Sequence, residues 1–334
     1  MSTGVQLAYF VTALCFILAL TGLSSPKCAR YGNLIGAFGA ALAVVVTLCL
    51  HGLGHRWLII VAIVVGTVVA VPAARMVKMT AIPQMVAMFN GVGGGAAALV
   101  SLTEYVRQHK LDTTAEAIAV VFSAIVGSVS FTGSAITFAK LQELMTGRPI
   151  LVPGARFVTS AVGLGALATG IAAIPTSSVV LLIVCAALSL VLGVLFVLPV
   201  GGADVPVVIS LLNAFTGLAV AASGYVLDNT LLIVAGTLVG ASGTMLTQLM
   251  ARAMGRPITG VLFGAFSGPS TAGSTAELAA GDRAVRSAGA EDIAILLAYA
   301  RKVAIVPGYG LAVAQAQHTC RELVDLLESR GVEV

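Results

Sequence analysis

Residues Arg301–Gln317 read RKVAIVPGYGLAVAQAQ, and their reading decides what the preceding chain must be. Lys302–Val306 is a short apolar run rich in β-branched residues, the pattern of a buried strand. Pro307 and Gly308 break it, and Leu311–Leu327 then carries the apolar spacing of a helix. Strand, glycine turn and helix together make the phosphate-binding corner of a dinucleotide fold. There the glycines let the backbone approach a pyrophosphate, and the helix N-terminus offers free N–H groups. Gly308 and Gly310 supply the G-x-G, and Val313 stands third, in the looser G-x-G-x-x-V form. An ordinary strand–turn–helix shares this pattern. Its place directly after a long apolar region is what singles it out.

Pro-Gly-Tyr-Gly also resembles the selectivity filter of potassium channels, whose backbone carbonyls replace an ion's water shell. A filter needs a pore helix and a membrane span on each side. Here Glu291, Asp292, Arg301 and Lys302 precede it, and Arg321, Glu322, Asp325 and Glu328 follow. A helix so charged does not cross a bilayer, and the filter reading falls.

Working outward, the chain is 58% hydrophobic and 10% charged, with a mean hydropathy of +1.04. Soluble domains carry roughly 25% charged residues, so most of this chain belongs in lipid. The net charge of +4 comes from scattered residues rather than a basic stripe, which excludes nucleic acid as a partner. Cys15, Cys28, Cys49, Cys185 and Cys320 are widely spaced. None has zinc or redox spacing, so they read as small hydrophobes and no metal site is expected. No Lys or Arg precedes the first apolar run, which argues for a first membrane helix rather than a cleaved signal.

Apolar segments of about 17–25 residues recur along the first three quarters. They run near Val5–Leu23, Asn33–Leu50, Trp57–Ala74, Ile82–Leu102, Glu116–Ala139, Arg156–Ile174, Ser178–Leu198, Val205–Leu227 and Leu231–Met250. The expected fold is an α-helical polytopic membrane protein of about nine transmembrane helices, followed by the first βα unit of a Rossmann-like domain. Lys27, Arg30, Arg75, Lys78, Lys140, Arg148, Arg156, Arg252 and Arg256 fall in loops on one side. Arg56, Arg107 and Lys110 fall on the other. The positive-inside rule puts the N-terminus outside and the C-terminus in the cytoplasm.

Three regions follow: a membrane domain over 1–256, a linker over 257–290, and the start of a cytoplasmic nucleotide domain over 291–334. Phe266–Ala290 is rich in Gly, Ser, Thr and Ala, the composition of a flexible linker. Val332–Val334 reads as the start of a second strand. Within the spans, small residues at helical spacing allow close packing. That accounts poorly for Gly93–Gly95, since consecutive glycines weaken a helix beyond what packing needs.

Polar side chains inside lipid are costly and are functional candidates by default. Asn90 sits mid-span in QMVAMFNGVGGG, and Asp204 opens the eighth span with Asn213 further in. Ser242 lies between Gly240 and Gly243, and Arg256 follows the ninth span. For each the plainer reading is interhelical hydrogen bonding or a helix start. His51, His55, His109 and His318 all fall in loops or the soluble part. A proton path here needs Asn side chains with water, or a histidine lent by another chain.

MVKMTAIPQMVAMFNGVGGGAAALVSLTEY, VSFTGSAITFAKLQELMTGRPI, GGADVPVVISLLNAFTGLAVAASGYVL and the opening stretch together closely resemble the β subunit of proton-translocating NAD(P) transhydrogenase. The likeness runs through the whole chain in order. It implies an oxidoreductase subunit of the bacterial inner membrane that couples proton entry to hydride transfer from NADH to NADP+. It implies NADP(H) on this subunit and NAD(H) on a partner α subunit, assembled as a dimer of αβ units. It places Gly308, Tyr309, Gly310, Ala312 and Val313 on the NADP-binding turn. It ties Asn90, Asp204, Asn213, Gly240, Ser242, Gly243 and Arg256 to proton translocation and its coupling. No residue of this chain is implied to be catalytic in the covalent sense. Where this chain has Asn90, some family members have a histidine. The family's NADP domain continues past the point corresponding to Val334, so a fragment that binds NADP(H) weakly by itself is expected. An ion channel or transporter gated by a nucleotide-sensing domain is the alternative reading.

Overall fold

A computed structural model describes residues 3–49, 54–108, 113–150, 154–255, 257–263, 289–308 and 316–334, together with Leu311. Those residues fall into two compact units, Met1–Ala272 and Gly273–Val334.

The first unit is helical. In chain order its helices are α1 (Thr3–Leu23), α2 (Ala29–Leu48), α3 (Arg56–Met76), α4 (Ile82–Gln108) and α5 (Thr114–Leu141). Then come α6 (Ala155–Thr176), α7 (Val179–Val197), α8 (Val205–Val226), α9 (Thr230–Ala253) and a short α10 (Ile258–Phe263). Among the described residues nine helices are long and apolar enough to cross a membrane. Each expected span is found with its ends moved by a few residues, except that α4 runs on to Gln108. Its extra turn is held by burial of Glu104 and Tyr105. The Tyr105 hydroxyl donates to Ala173 O (2.9 Å), one of the carbonyls that the end of α6 leaves without an intrahelical donor.

Helix starts follow local capping chemistry. Thr113 Oγ1 accepts from Glu116 N (3.2 Å) at α5, and Asn229 Oδ1 from Leu232 N (3.2 Å) at α9.

The packed centre consists of α4, α5, α7 and α8. At one end Val120, Val121, Ala124, Leu182 and Val226 form a core, and at the other Val197, Val200, Val207, Val208 and Leu212 form a second. Helix α9 packs on α8, α6 packs on α7, and α1 with α2 makes a hairpin that reaches α9 through α1. Helix α3 has no buried residue.

Small residues set the helix separations. A Cβ on Gly127 would lie 2.6 Å from Gly94 O, and one on Gly217 would lie 2.5 Å from Gly240 N. The glycines 93–95 are also better explained by packing than the sequence suggested. A Cβ on Gly94 would meet Ser130 Cβ at 3.0 Å, and one on Gly95 would meet the Phe131 ring at 2.9 Å. Only Gly93 has ordinary room, with Thr216 Cγ2 at 3.4 Å.

The second unit holds α11 (Ala290–Ala298) and α12 (Gln317–Ser329). Gly331, at φ +80°, ends α12. Gly331 N donates to Glu328 O (2.9 Å) and Val332 N to Leu327 O (3.1 Å), which satisfies the last carbonyls. Leu327 and Val332 are the buried apolar pair that accompanies this ending. The expected strand at Lys302–Val306 is not found, and no strand occurs among the described residues. A strand needs a ladder, and among the described residues this run meets one neighbour, through a parallel bridge between Lys302 and Glu333.

Candidate functional site

The α4–α5–α8 seam gathers polar groups in its interior. Gly91 and Gly94 of α4 face Ser134 and Ser130 of α5, so the backbones come close enough for short side chains to span the gap. Asn90 is buried there. Its Nδ2 donates to Ser134 Oγ (2.9 Å) and to Ser130 Oγ (3.3 Å). Ser130 Oγ lies 2.9 Å from Leu212 O and 2.6 Å from Thr216 Oγ1, both on α8. Thr216 Oγ1 returns to Asn90 O at 3.4 Å, closing a ring through three helices.

Asn90 Oδ1 is buried with no donor among the described residues. A buried amide oxygen left so costs about 1–3 kcal/mol. Because the amide carries two donors on one end and an acceptor on the other, a half-turn exchanges which end faces the serines. In the arrangement found, Nδ2 faces the two serines and Oδ1 is the acceptor left over.

A second hydroxyl layer lies further along the same seam. Ser223 Oγ sits 3.0 Å from Ser101 Oγ and 2.8 Å from Ser123 Oγ. Ala97 O and Ala219 O accept from this cluster at 3.0–3.3 Å. Sequence reasoning missed Ser101, Ser123, Ser130, Ser134, Thr216 and Ser223. One signal was present: Ser123, Gly127, Ser130, Ser134 and Thr137 alternate by four and three residues, a continuous small polar face on α5.

The sequence-nominated residues divide. Asn90 is at the centre of the ring. Asp204 is buried at the N-cap of α8, in a turn over Gly202–Asp204. Asn213, on α8 between Leu212 and Thr216, is half-buried, and its side chain makes no hydrogen bond with the described residues. Gly240 and Gly243 are contact points of α9 on α8: a Cβ would lie 2.9 Å from Leu218 Cδ2 and 2.9 Å from Ala214 N, respectively. Ser210 Oγ also donates to Gly243 O across that contact (3.1 Å). Ser242 turns back on its own helix, donating to Val239 O (3.2 Å), and does not join the ring. Arg256, Tyr309, Gly310, Ala312 and Val313 lie outside the described residues. Gly308 is exposed, and a Cβ on it would meet none of the described residues within 4 Å.

Lys140 departs from its expected place. Rather than a loop charge, it is the last-turn lysine of α5 and is 4% exposed. Glu104, also unflagged by the sequence, is buried near the other end of the seam and pairs with Arg107 (3.3 Å) and Gln108 (2.6 Å). No cluster of His, Cys, Asp or Glu fit for a metal occurs among the described residues.

Residues 5–334 match the family model described as NAD(P) transhydrogenase beta subunit. The NAD(P) transhydrogenase subunit beta of Rhodospirillum rubrum is 40% identical over 98% of this chain and 72% of its own length. A second Rhodospirillum rubrum protein of the same name gives the same identity and coverage. A subunit of that description implies an α-subunit partner and a reaction of nicotinamide nucleotides. With its long apolar helices and a match along almost its whole length, the chain belongs to the NAD(P) transhydrogenase β-subunit family and is a membrane component of an oxidoreductase.

Proposed function

We propose that the chain couples proton entry to hydride transfer, NADH + NADP+ + H+out = NAD+ + NADPH + H+in, with Asn90 as the hinge of the proton path. The observation that carries this reading is the buried ring of Asn90, Ser130, Ser134 and Thr216 across three helices. Polar side chains inside an apolar bundle are costly, which makes this ring a functional candidate. Asn90 Oδ1, buried without a described donor, suits a proton-bearing group brought by water or by an α-subunit span.

Coupling would run through α8 and α9. Leu212 and Thr216 of α8 touch the ring, while Gly217 and Gly224 of the same helix interlock with α9. A shift of α8 that follows the ring's hydrogen-bond state would therefore drag α9, the last long helix before the second unit in the chain. Two packings of this pair that favour different nucleotide states would tie proton movement to hydride transfer. Asp204 and Asn213, at the start and middle of α8, would bias the same helix. Gly240, Ser242, Gly243 and Arg256 would belong to its coupling to the nucleotide unit.

For the nucleotide, Gly308 fits a turn that backbone must approach closely, since a Cβ there would meet none of the described residues within 4 Å. Gly308, Tyr309, Gly310, Ala312 and Val313 would hold NADP(H). The parallel bridge of Lys302 to Glu333 across α12 has the connection of a βα unit. When bound, the nicotinamide supplies the hydride acceptor, with NAD(H) on the α subunit. The assembly would be a dimer of αβ units in the bacterial inner membrane, N-terminus outside and C-terminus cytoplasmic, as the loop charges favour.

The test is Asn213→Leu in the αβ complex in sealed vesicles. Hydride transfer that no longer moves protons, with assembly intact, supports the reading. Unchanged proton movement overturns it.

A further inference from the structure

We propose that Lys140 is a positioning residue for coupling: its ammonium fixes the end of α7 and the connector into α8, and through them the register of α8 against the Asn90 ring. This rests on the function proposed above. The Lys140 Nζ donates to Val197 O (3.1 Å), Leu198 O (2.6 Å) and Val200 O (2.7 Å). Three N–H donors meet three oxygens, so the ammonium is fully satisfied by backbone alone. Val197 O and Leu198 O stand at the C-terminal end of α7, where the negative end of the helix dipole lies, and Val200 O belongs to the connector that follows.

Two more ties join the same segments. Ile150 N donates to Leu198 O (3.1 Å), and Gly202 N donates to Gly147 O (2.8 Å). All three ties run between the end of α5 with its following loop and the α7–α8 connector. The connector then turns through Gly202–Asp204 into α8, whose Val207, Val208 and Leu212 are buried with Val197 and Val200. Leu212 O is the acceptor for Ser130. One chain of contacts therefore leads from Lys140 to the ring. A buried charge is a costly way to fill space, and a long apolar side chain would pack there with less desolvation. What only the ammonium does is hold three carbonyls of a connector at one point.

The experiment uses the αβ complex in sealed vesicles, measuring protons moved per hydride transferred. The wild-type ratio is read first; a wild type that moves no protons would sink the proposed function rather than this inference alone. Lys140→Met is expected to transfer hydride while its proton ratio falls about fivefold or more. In Lys140→Ala, added propylammonium is expected to restore the ratio, and propanol of similar shape is not. A Lys140→Met complex with the wild-type ratio overturns the proposal. So does a loss of transfer, ratio and thermal stability together in both variants that propylammonium leaves unrepaired, because that is the mark of a purely structural role.

Discussion

Asn90 Nδ2 donates to Ser134 Oγ at 2.9 Å across the α4–α5 seam, while Asn90 Oδ1 is buried without a described donor. One amide thus binds the two helices through its Nδ2 and leaves its oxygen as a spare acceptor. Asn90→Leu is expected to abolish proton movement and to cost about 1–3 kcal/mol through the hydroxyls it strands. Asn90→His, which keeps a donor and an acceptor, should restore part of the movement. Vesicle proton uptake during hydride transfer, with a thermal melt of the complex, checks both. Coupling retained in Asn90→Leu would refute the role.

The α8–α9 contact makes a second prediction. A Cβ on Gly236 would lie 2.4 Å from Ala221 N, where backbone cannot give way, whereas one on Gly163 meets nothing closer than Leu192 Cδ1 at 3.7 Å. Gly236→Ala should destabilise by about 1–3 kcal/mol and lower the melting temperature. Gly163→Ala should leave it unchanged or raise it. Equal effects of the two would contradict the packing described.

The layer of Ser101, Ser123 and Ser223 lies apart from the Asn90 ring, with its hydroxyls occupied by one another and by backbone carbonyls. Replacing all three by Ala should weaken the bundle by about 0.6 kcal/mol for each lost interhelical bond, read from detergent-resistance or unfolding curves. Proton movement should persist. Its loss would move this layer into the path.

Membrane orientation is testable with native cysteines. Cys28, before α2, and Cys49, after it, are both exposed. With the N-terminus outside, an impermeant maleimide added to intact cells should label Cys49 and spare Cys28 until the membrane is opened. The reverse pattern would invert the topology.

Much of the fold was legible because about twenty apolar residues in a row have few alternatives to a membrane helix. All nine expected spans correspond to described helices. The end of α4 was misjudged because Glu104 looks like a loop residue until Arg107 and Gln108 are seen to pair with it. Lys140 was read as a loop charge for the same reason: sequence carries no sign of three carbonyls converging on one ammonium. Asn90 stood out as a costly amide in lipid, but its serine partners did not, since Ser and Gly at helical spacing serve packing equally well. The strand expected at Lys302–Val306 is not found for a different reason. Composition signals a wish to pair, while pairing depends on neighbours far along the chain, and a single bridge forms among the described residues.

The measurement that bears most directly on the central claim is hydride transfer by the αβ complex in vesicles under an imposed pH difference. With acid on the side of the chain's N-terminus, NADPH formation from NADH and NADP+ should accelerate and its equilibrium should shift toward NADPH, and Asn90→Leu should erase both responses. A rate and equilibrium indifferent to the gradient in the wild-type complex would contradict the account.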